Sequence, residues 1–253
     1  MERKLIQSVE RAAKILDIVS KYTQGVKLKE VSNVLGLGSS TVFYLISTLV
    51  ETGFIKQNNG KYQLGSKNLM LGNIYLENMS IYKIALPVIE ELLEKINENI
   101  DCVLYENDEI YFLIRMESTH SVKPTKLATS VKNAHATALG KLFLSTMPKE
   151  KLNDFVKKNC SLEKFTKNTI TNLNDLNAEL DKIRENRYAL DIEGAGTGVN
   201  CIAVPIYSHE GKIIASIVAS APSQRFSKDI ENQILTLLKN SATLISNELG
   251  YNP

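Results

Sequence analysis

Hydroxyls cluster at Ser39, Ser40 and Thr41, directly ahead of the apolar series Val42, Leu45, Ile46 and Leu49. That series recurs at i, i+3, i+4 and i+7, so it reads as one face of a helix whose first turn carries the hydroxyls, with Ser39 or Ser40 as N-cap. Hydroxyls beside the free N–H groups of a helix start suit phosphate oxygens, and a helix of this kind fits the major groove of duplex DNA. Phe43 and Tyr44 complete the set that would meet base edges and backbone. Arg3, Lys4, Arg11, Lys27 and Lys29 precede this helix and Lys56 and Lys61 follow it, all able to add electrostatic affinity. No Arg or Lys lies between Ser39 and Glu51, so a protein–protein module stands as an alternative use of the same segment.

Enzyme signatures are sparse. Gly194-Ala195-Gly196-Thr197-Gly198 resembles a phosphate loop, but strand-like residues lie on both sides and no helix opens after it. These glycines read instead as a loop that could close over a pocket. No G-x-S-x-G, H-E-x-x-H or C-x-x-C pattern occurs, and no Gly-Lys pair is followed by Ser or Thr. Neither a metal nor a cofactor is expected. The competing enzyme reading is a small-molecule hydrolase or isomerase using Asp191, His135 and Cys201.

The elements around these residues follow from periodicity. Val9, Ala12, Ala13, Leu16 and Val19 make a first helix with Ser8 as its cap, and Val31, Val34 and Leu35 a second, ended by Gly36. The hydroxyl-led helix closes at Gly53. Phe54–Gln57 and Lys61–Leu64 then read as strands joined around Asn59-Gly60, a strong hairpin signal. Three helices and a hairpin make a winged helix-turn-helix over residues 1–65. Residues 66–80 read as a linker helix, and 81–253 as a second domain. A helix from about Ile81 to Glu98 is kinked at Pro87 or starts there. Hairpin-like strand pairs then alternate with helices at Thr137–Thr146, Lys149–Lys158, Leu173–Asn186 and Ile230–Leu249. The fold class is α+β with a mostly antiparallel sheet flanked by helices.

Composition agrees. The 253 residues allow one or two domains, and apolar content is near the globular average. Residues 1–66 carry nine Lys+Arg against five Asp+Glu, whereas 67–253 carry 21 against 23. A basic front and an acidic rear fit a chain whose front alone meets a polyanion. No apolar run approaches the roughly 18 residues of a membrane span. Met1-Glu2-Arg3-Lys4 leads into no signal-peptide core, and the three distant cysteines suit free thiols, so a cytoplasmic location is expected.

Six short sequence segments carry a resemblance. The front holds Ser8-Val9-Glu10-Arg11-Ala12, Gly36-Leu37-Gly38-Ser39-Ser40-Thr41-Val42 and Tyr62-Gln63-Leu64-Gly65. The rear holds His135-Ala136-Thr137-Ala138-Leu139-Gly140-Lys141, Tyr188-Ala189-Leu190-Asp191-Ile192-Glu193 and Cys201-Ile202-Ala203-Val204-Pro205. In this order and spacing the chain resembles the IclR family of bacterial transcriptional regulators over nearly its whole length. The resemblance implies operator binding by the front domain and a GAF-like rear domain for a small organic-acid effector. It also implies homodimers through the front domain, which in the family often pair into tetramers. It places Asp191, Cys201 and Ser220 in the pocket, with the Ala138-Leu139 backbone at a helix start where a carboxylate would meet free N–H groups. This chain departs from the family pattern at Ser39 and Tyr44, where basic residues are usual, and at Val218 and Ala221, where Ser and Gly are usual. Base readout and effector identity are therefore its own. The expected product is a DNA-binding regulator, not an enzyme.

Overall fold

The computed structural model describes residues 5–124, 133–160 and 162–252. Two compact units emerge, Met1–Met79 and Ser80–Pro253.

In the first unit, α1 (Gln7–Ser20), α2 (Leu28–Leu35) and α3 (Ser39–Glu51) precede the hairpin β1 (Ile55–Asn58) and β2 (Lys61–Leu64). Asn59 and Gly60 both take positive φ, 48° and 72°, the geometry that a two-residue hairpin turn requires. Val26 exchanges both main-chain bonds with Tyr62, so the segment before α2 becomes a third rung of the wing. Ile15, Ile18, Val19, Val31, Val42, Ile46 and Tyr62 are among the residues that fill the core.

The α1 stripe differs from the sequence reading. Ile15, Ile18 and Val19 face the core, whereas Val9 is 65% exposed and Ser8 lies inside the helix, which starts without a side-chain cap. Val34 of α2 is likewise exposed. Periodicity alone permits neighbouring apolar stripes, and the packing partners select one. Gly36 does end α2, in the left-handed conformation at φ 64°. The last helix of this unit, α4 (Ser66–Glu77), buries no residue.

The second unit begins with α5 (Ser80–Ile96), which runs through Pro87 as one helix. Its sheet has five strands in the order β4-β3-β7-β6-β5, every pair antiparallel. These are β3 (Asn99–Glu106), β4 (Glu109–Met116), β5 (Ala189–Ile192), β6 (Val199–Tyr207) and β7 (Ile213–Pro222). The helix α9 (Lys228–Glu248) packs on β6, β7 and α5, and α6 (Ala138–Ser145) packs on β5, β6 and α8 (Leu173–Asn186). The remaining helix, α7 (Lys149–Asn159), contributes Leu152 and Val156 to the core beneath α6. Among the described residues, no single helix is long and apolar enough to cross a membrane.

Candidate functional site

The sheet register builds a pocket. Asp191 of β5 pairs with Cys201 of β6, Cys201 with Ser220 of β7, and Ser220 with Asn99 of β3. Directly opposed residues point to the same face, so these four side chains form one row across the sheet. Two residues further along, Val218 opposes Asp101 on that same face. Both rows border one cleft of about 580 Å³, counted out to its open mouth. The start of α6 borders it too, through Thr137, Ala138 and Leu139. The sequence-derived set Ala138, Leu139, Asp191, Cys201 and Ser220 is thus brought together, with Val218 beside it. Asn99 and Asp101, and the wall made by Phe112, Met116 and Glu117, had no recognised motif. Only a strand-pairing argument, with Asn99 opposite Ser220, could have found the first.

The start of α6 turns main-chain donors toward the cleft. The hydroxyl of Thr137, the N-cap, accepts from the Gly140 N–H at 2.9 Å, which leaves the Ala138 and Leu139 N–H groups uncommitted beside the cleft. Gly140 is required for this placement, because an added Cβ would overlap the Cα and carbonyl of Ala134. Asp101 is paired with Arg115 at 3.0 Å, and Glu117 with Lys123 at 2.7 Å, so neither adds a bare negative charge to the cleft.

Asp191 is only 2% exposed. Its Oδ1 accepts from the Gly194 N–H at 2.6 Å. Burial raises its pKa from an ordinary 3.8 to about 6, against the opposing pull of the Gly194 N–H, the Lys141 charge and the Ala195 N–H. A carboxyl that titrates higher folded than unfolded makes ionisation destabilising. The penalty is absent below about pH 3.8, grows between about 3.8 and 6, and is complete above 6. Asp191→Asn keeps an acceptor for Gly194. In urea unfolding it is expected to match the parent near pH 3.5 and to exceed it by about 1–3 kcal/mol at pH 7. A gain of equal size at both pH values would show that the carboxyl is not what burial destabilises.

The glycine segment 194–198 is no free flap. Thr166 and Thr169 donate to the Glu193 and Gly194 carbonyls at 2.6 Å, and the Gly198 N–H donates to the Glu193 carboxylate at 2.7 Å. It is a tied β5–β6 connection, and none of its residues borders the cleft.

The enzyme constellation does not assemble. His135 is fully buried and lines a different cavity, shared with Asp191, Lys141 and Glu179 but not with Cys201. Its Nε2 lies 3.0 Å from the Glu163 carbonyl, and its ring stacks on Phe165. Burial pushes the Cys201 thiol up to about 12, far from a thiolate at neutral pH.

In the first unit, Ser39, Ser40 and Thr41 are exposed and occupy the first turn of α3. Gly38 is the N-cap and makes no side-chain cap bond, so the serine hydroxyls are not spent on capping as the sequence reading had one of them. Tyr44 is 71% exposed and meets Phe43 edge to face, while Val42, Ile46 and Leu49 are buried behind them. Lys27 opens α2, its backbone N–H donating to Glu30 at 2.8 Å, and its side chain is exposed, as is that of Lys56 on β1. Lys61 and Arg11 are half-buried. Arg3 and Lys4 lie outside the described residues.

Comparison with known proteins agrees with this geometry. The family model described as the bacterial transcriptional regulator IclR C-terminal domain matches residues 73–247, and the IclR helix-turn-helix domain matches 8–59. The chain belongs to the IclR family. It is 32% identical to an uncharacterised HTH-type transcriptional regulator of Haemophilus influenzae, over 97% of this chain and 93% of that one. To the HTH-type transcriptional regulator XynR of Escherichia coli it is 30% identical, over 98% of each chain. An IclR homologue of Microbacterium hydrocarbonoxydans, solved in complex with 4-hydroxybenzoate, shares the fold with a TM-score of 0.80. That match has 22% identity and covers 96% of this chain and 99% of the homologue. The protein is an IclR-family DNA-binding transcriptional regulator, and α1, α2 and α3 lie within its matched helix-turn-helix domain.

Proposed function

We propose that this regulator binds a two-fold operator as a homodimer and that a small organic acid, held in the cleft under α6, modulates that binding. In domain terms, residues 1–65 meet DNA, 66–80 link, and 81–253 sense the effector. The observation that carries the sensing half is the row Asp191–Cys201–Ser220–Asn99 facing the uncommitted N–H groups of Ala138 and Leu139. An anionic end belongs at the helix start, where the dipole is positive. Asp191 repels a second anion, so the other end of the ligand must bring a hydroxyl or another donor, which Ser220 can complement. Val218 leaves one flank apolar. The 4-hydroxybenzoate of the fold neighbour has this polarity, a carboxylate at one end and a hydroxyl at the other.

Dimerisation is supported by the apolar surface that the first unit leaves bare. Leu5, Ile6 and Val9 on the α1 side and Leu69, Met70, Ile74 and Tyr75 on α4 are all exposed. The buried Cys102 and Cys201 thiols fit work in a reducing cytoplasm.

Two measurements test the halves separately. A thermal-shift screen of organic acids is expected to find a stabilising ligand, and Asp191→Ala to weaken it by about 1.5–3 kcal/mol, the range of a charge-assisted bond. Effector-free DNA binding should stay nearly unchanged. A screen with no stabilising acid, or a variant that responds as the parent does, would remove the cleft from the mechanism. On the DNA side, Tyr44→Ala should cost about 1–3 kcal/mol of operator affinity with folding intact. Unaltered affinity in a gel-shift titration would mean that α3 docks differently.

A further inference from the structure

We propose that the groove between β6 and α9 is a second small-molecule site, which takes an organic anion with a flat apolar body. The groove exists because β5 is short. Its four residues pair with Asn200–Ala203 only, so Val204–Tyr207 of β6 have no β5 partner. Pro205 lies in this uncovered stretch and offers no N–H that would need one. The opposite wall is α9, which turns Lys239, Ala242, Thr243, Ser246 and Asn247 toward the gap at helical spacing. Together they enclose about 690 Å³, counted out to the open mouth.

The chemistry of the walls is selective. Tyr207 and Tyr251 stack at 4.9 Å and 19°, and with Pro205 and Ala242 they offer flat apolar surface. Arg187 and Lys239 border the same groove, and no Asp or Glu does. Neither cation has a carboxylate partner among the described residues; Lys239 lies over the Tyr188 ring at 4.7 Å instead. Arg187 is also held unusually. It occupies the left-handed position that ends α8, at φ 59°, where glycine is the ordinary residue. A non-glycine residue pays strain to sit there, and here the position carries a guanidinium to the groove's rim. Asn186 and Asn247 add neutral donors beside the two cations.

The cleft under α6 differs: its described lining holds Asp101, Glu117 and Asp191 and no Lys or Arg, and the first two are paired with Arg115 and Lys123. The two sites share one strand: β6 carries Cys201 into the cleft and Val204, Pro205 and Tyr207 into the groove. The groove proposal does not rest on the effector reading.

The test uses the full chain and 4-bromobenzoate, an aromatic acid whose bromine can be located by anomalous scattering. In crystals grown with the probe, a bromine peak is expected beside Tyr207 and Tyr251. In calorimetry, Arg187→Asn combined with Lys239→Gln is expected to weaken that binding event by about tenfold or more, the value of losing charge-assisted bonds. Asn tolerates the left-handed conformation, so the backbone at residue 187 is spared. Lys157→Gln with Lys158→Gln on α7 removes the same charge elsewhere and should change nothing. Thr243→Trp, on an exposed position of α9, should block the groove and give the same loss if the double variant folds poorly. The probe can also enter the cleft under α6. An event untouched by the groove variants, with bromine located beside Ala138 and Leu139, belongs there. Bromine found only in the cleft, no binding at all, or an isotherm unchanged in both groove variants would overturn the proposal.

Discussion

Raising the salt from about 50 to 200 mM is expected to weaken operator binding by roughly 10³-fold or more, the loss that accompanies about six phosphate contacts. The reason lies in how the first unit distributes its charge. The proposed recognition helix α3 has no Arg or Lys, so Ser39, Ser40, Thr41 and Tyr44 are the groups it offers for polar contacts of fixed geometry. The cations stand around it, at Lys27 before α2 and Lys56 on the wing, with Arg11 and Lys61 half-buried. In the proposed homodimer each of them occurs twice. Cations of this kind displace condensed counterions and set affinity, whereas contacts to base edges set sequence preference. Lys56→Ala should therefore lower affinity for operator and unrelated duplex alike and flatten the salt slope, while Tyr44→Ala should act on the operator alone. Fluorescence anisotropy at several salt concentrations separates the two. A salt-independent affinity would return α3 to the protein–protein reading.

The second large effect is a reversal of sign between two helical glycines. Replacing Gly by Ala inside an exposed helix ordinarily stabilises by about 1 kcal/mol. Gly72 of α4 meets that condition, since nothing lies within 4 Å of the Cβ it would gain. Gly72→Ala should gain about that much. Gly140→Ala should instead lose roughly 2 kcal/mol net, because the new methyl would overlap the Ala134 backbone, which cannot rotate away as a side chain would. The strain can be relieved only by moving the start of α6. Ala138 and Leu139 would then leave the cleft, and the thermal response to organic acids should vanish even where the variant remains folded. Urea unfolding of the full chain, followed by far-ultraviolet circular dichroism, gives the first quantity, and the thermal-shift screen gives the second. A Gly140→Ala protein as stable as the parent would show that α6 does not pack on Ala134 as described.

Local signals in the sequence determined the elements. Gly36, Asn59-Gly60, the Asn107-Asp108 turn and the caps Thr137 and Asn172 each act within a few residues, where sterics and a single hydrogen bond decide the conformation. The 3.6 and 2 periodicities then separated helices from strands, and the family blocks named Asp191, Cys201, Ser220 and the start of α6. Tertiary structure decided what those signals leave degenerate. Val9 and Ile15 both lie on helical apolar stripes of α1, and only packing against α2 and α3 buried the second and left the first exposed. Asn99 entered the pocket because β3 pairs with β7 across more than a hundred residues, a register that no local pattern encodes. His135 stands three residues before Ala138 in the sequence, yet packing turned it into a separate cavity, away from Cys201. The groove under α9 has the same origin: β5 stops after four residues, and the space that it leaves is a property of the assembled sheet. Side-chain direction follows from local backbone, but which side chains converge depends on contacts distant in sequence, whose energies appear only once the layers have packed.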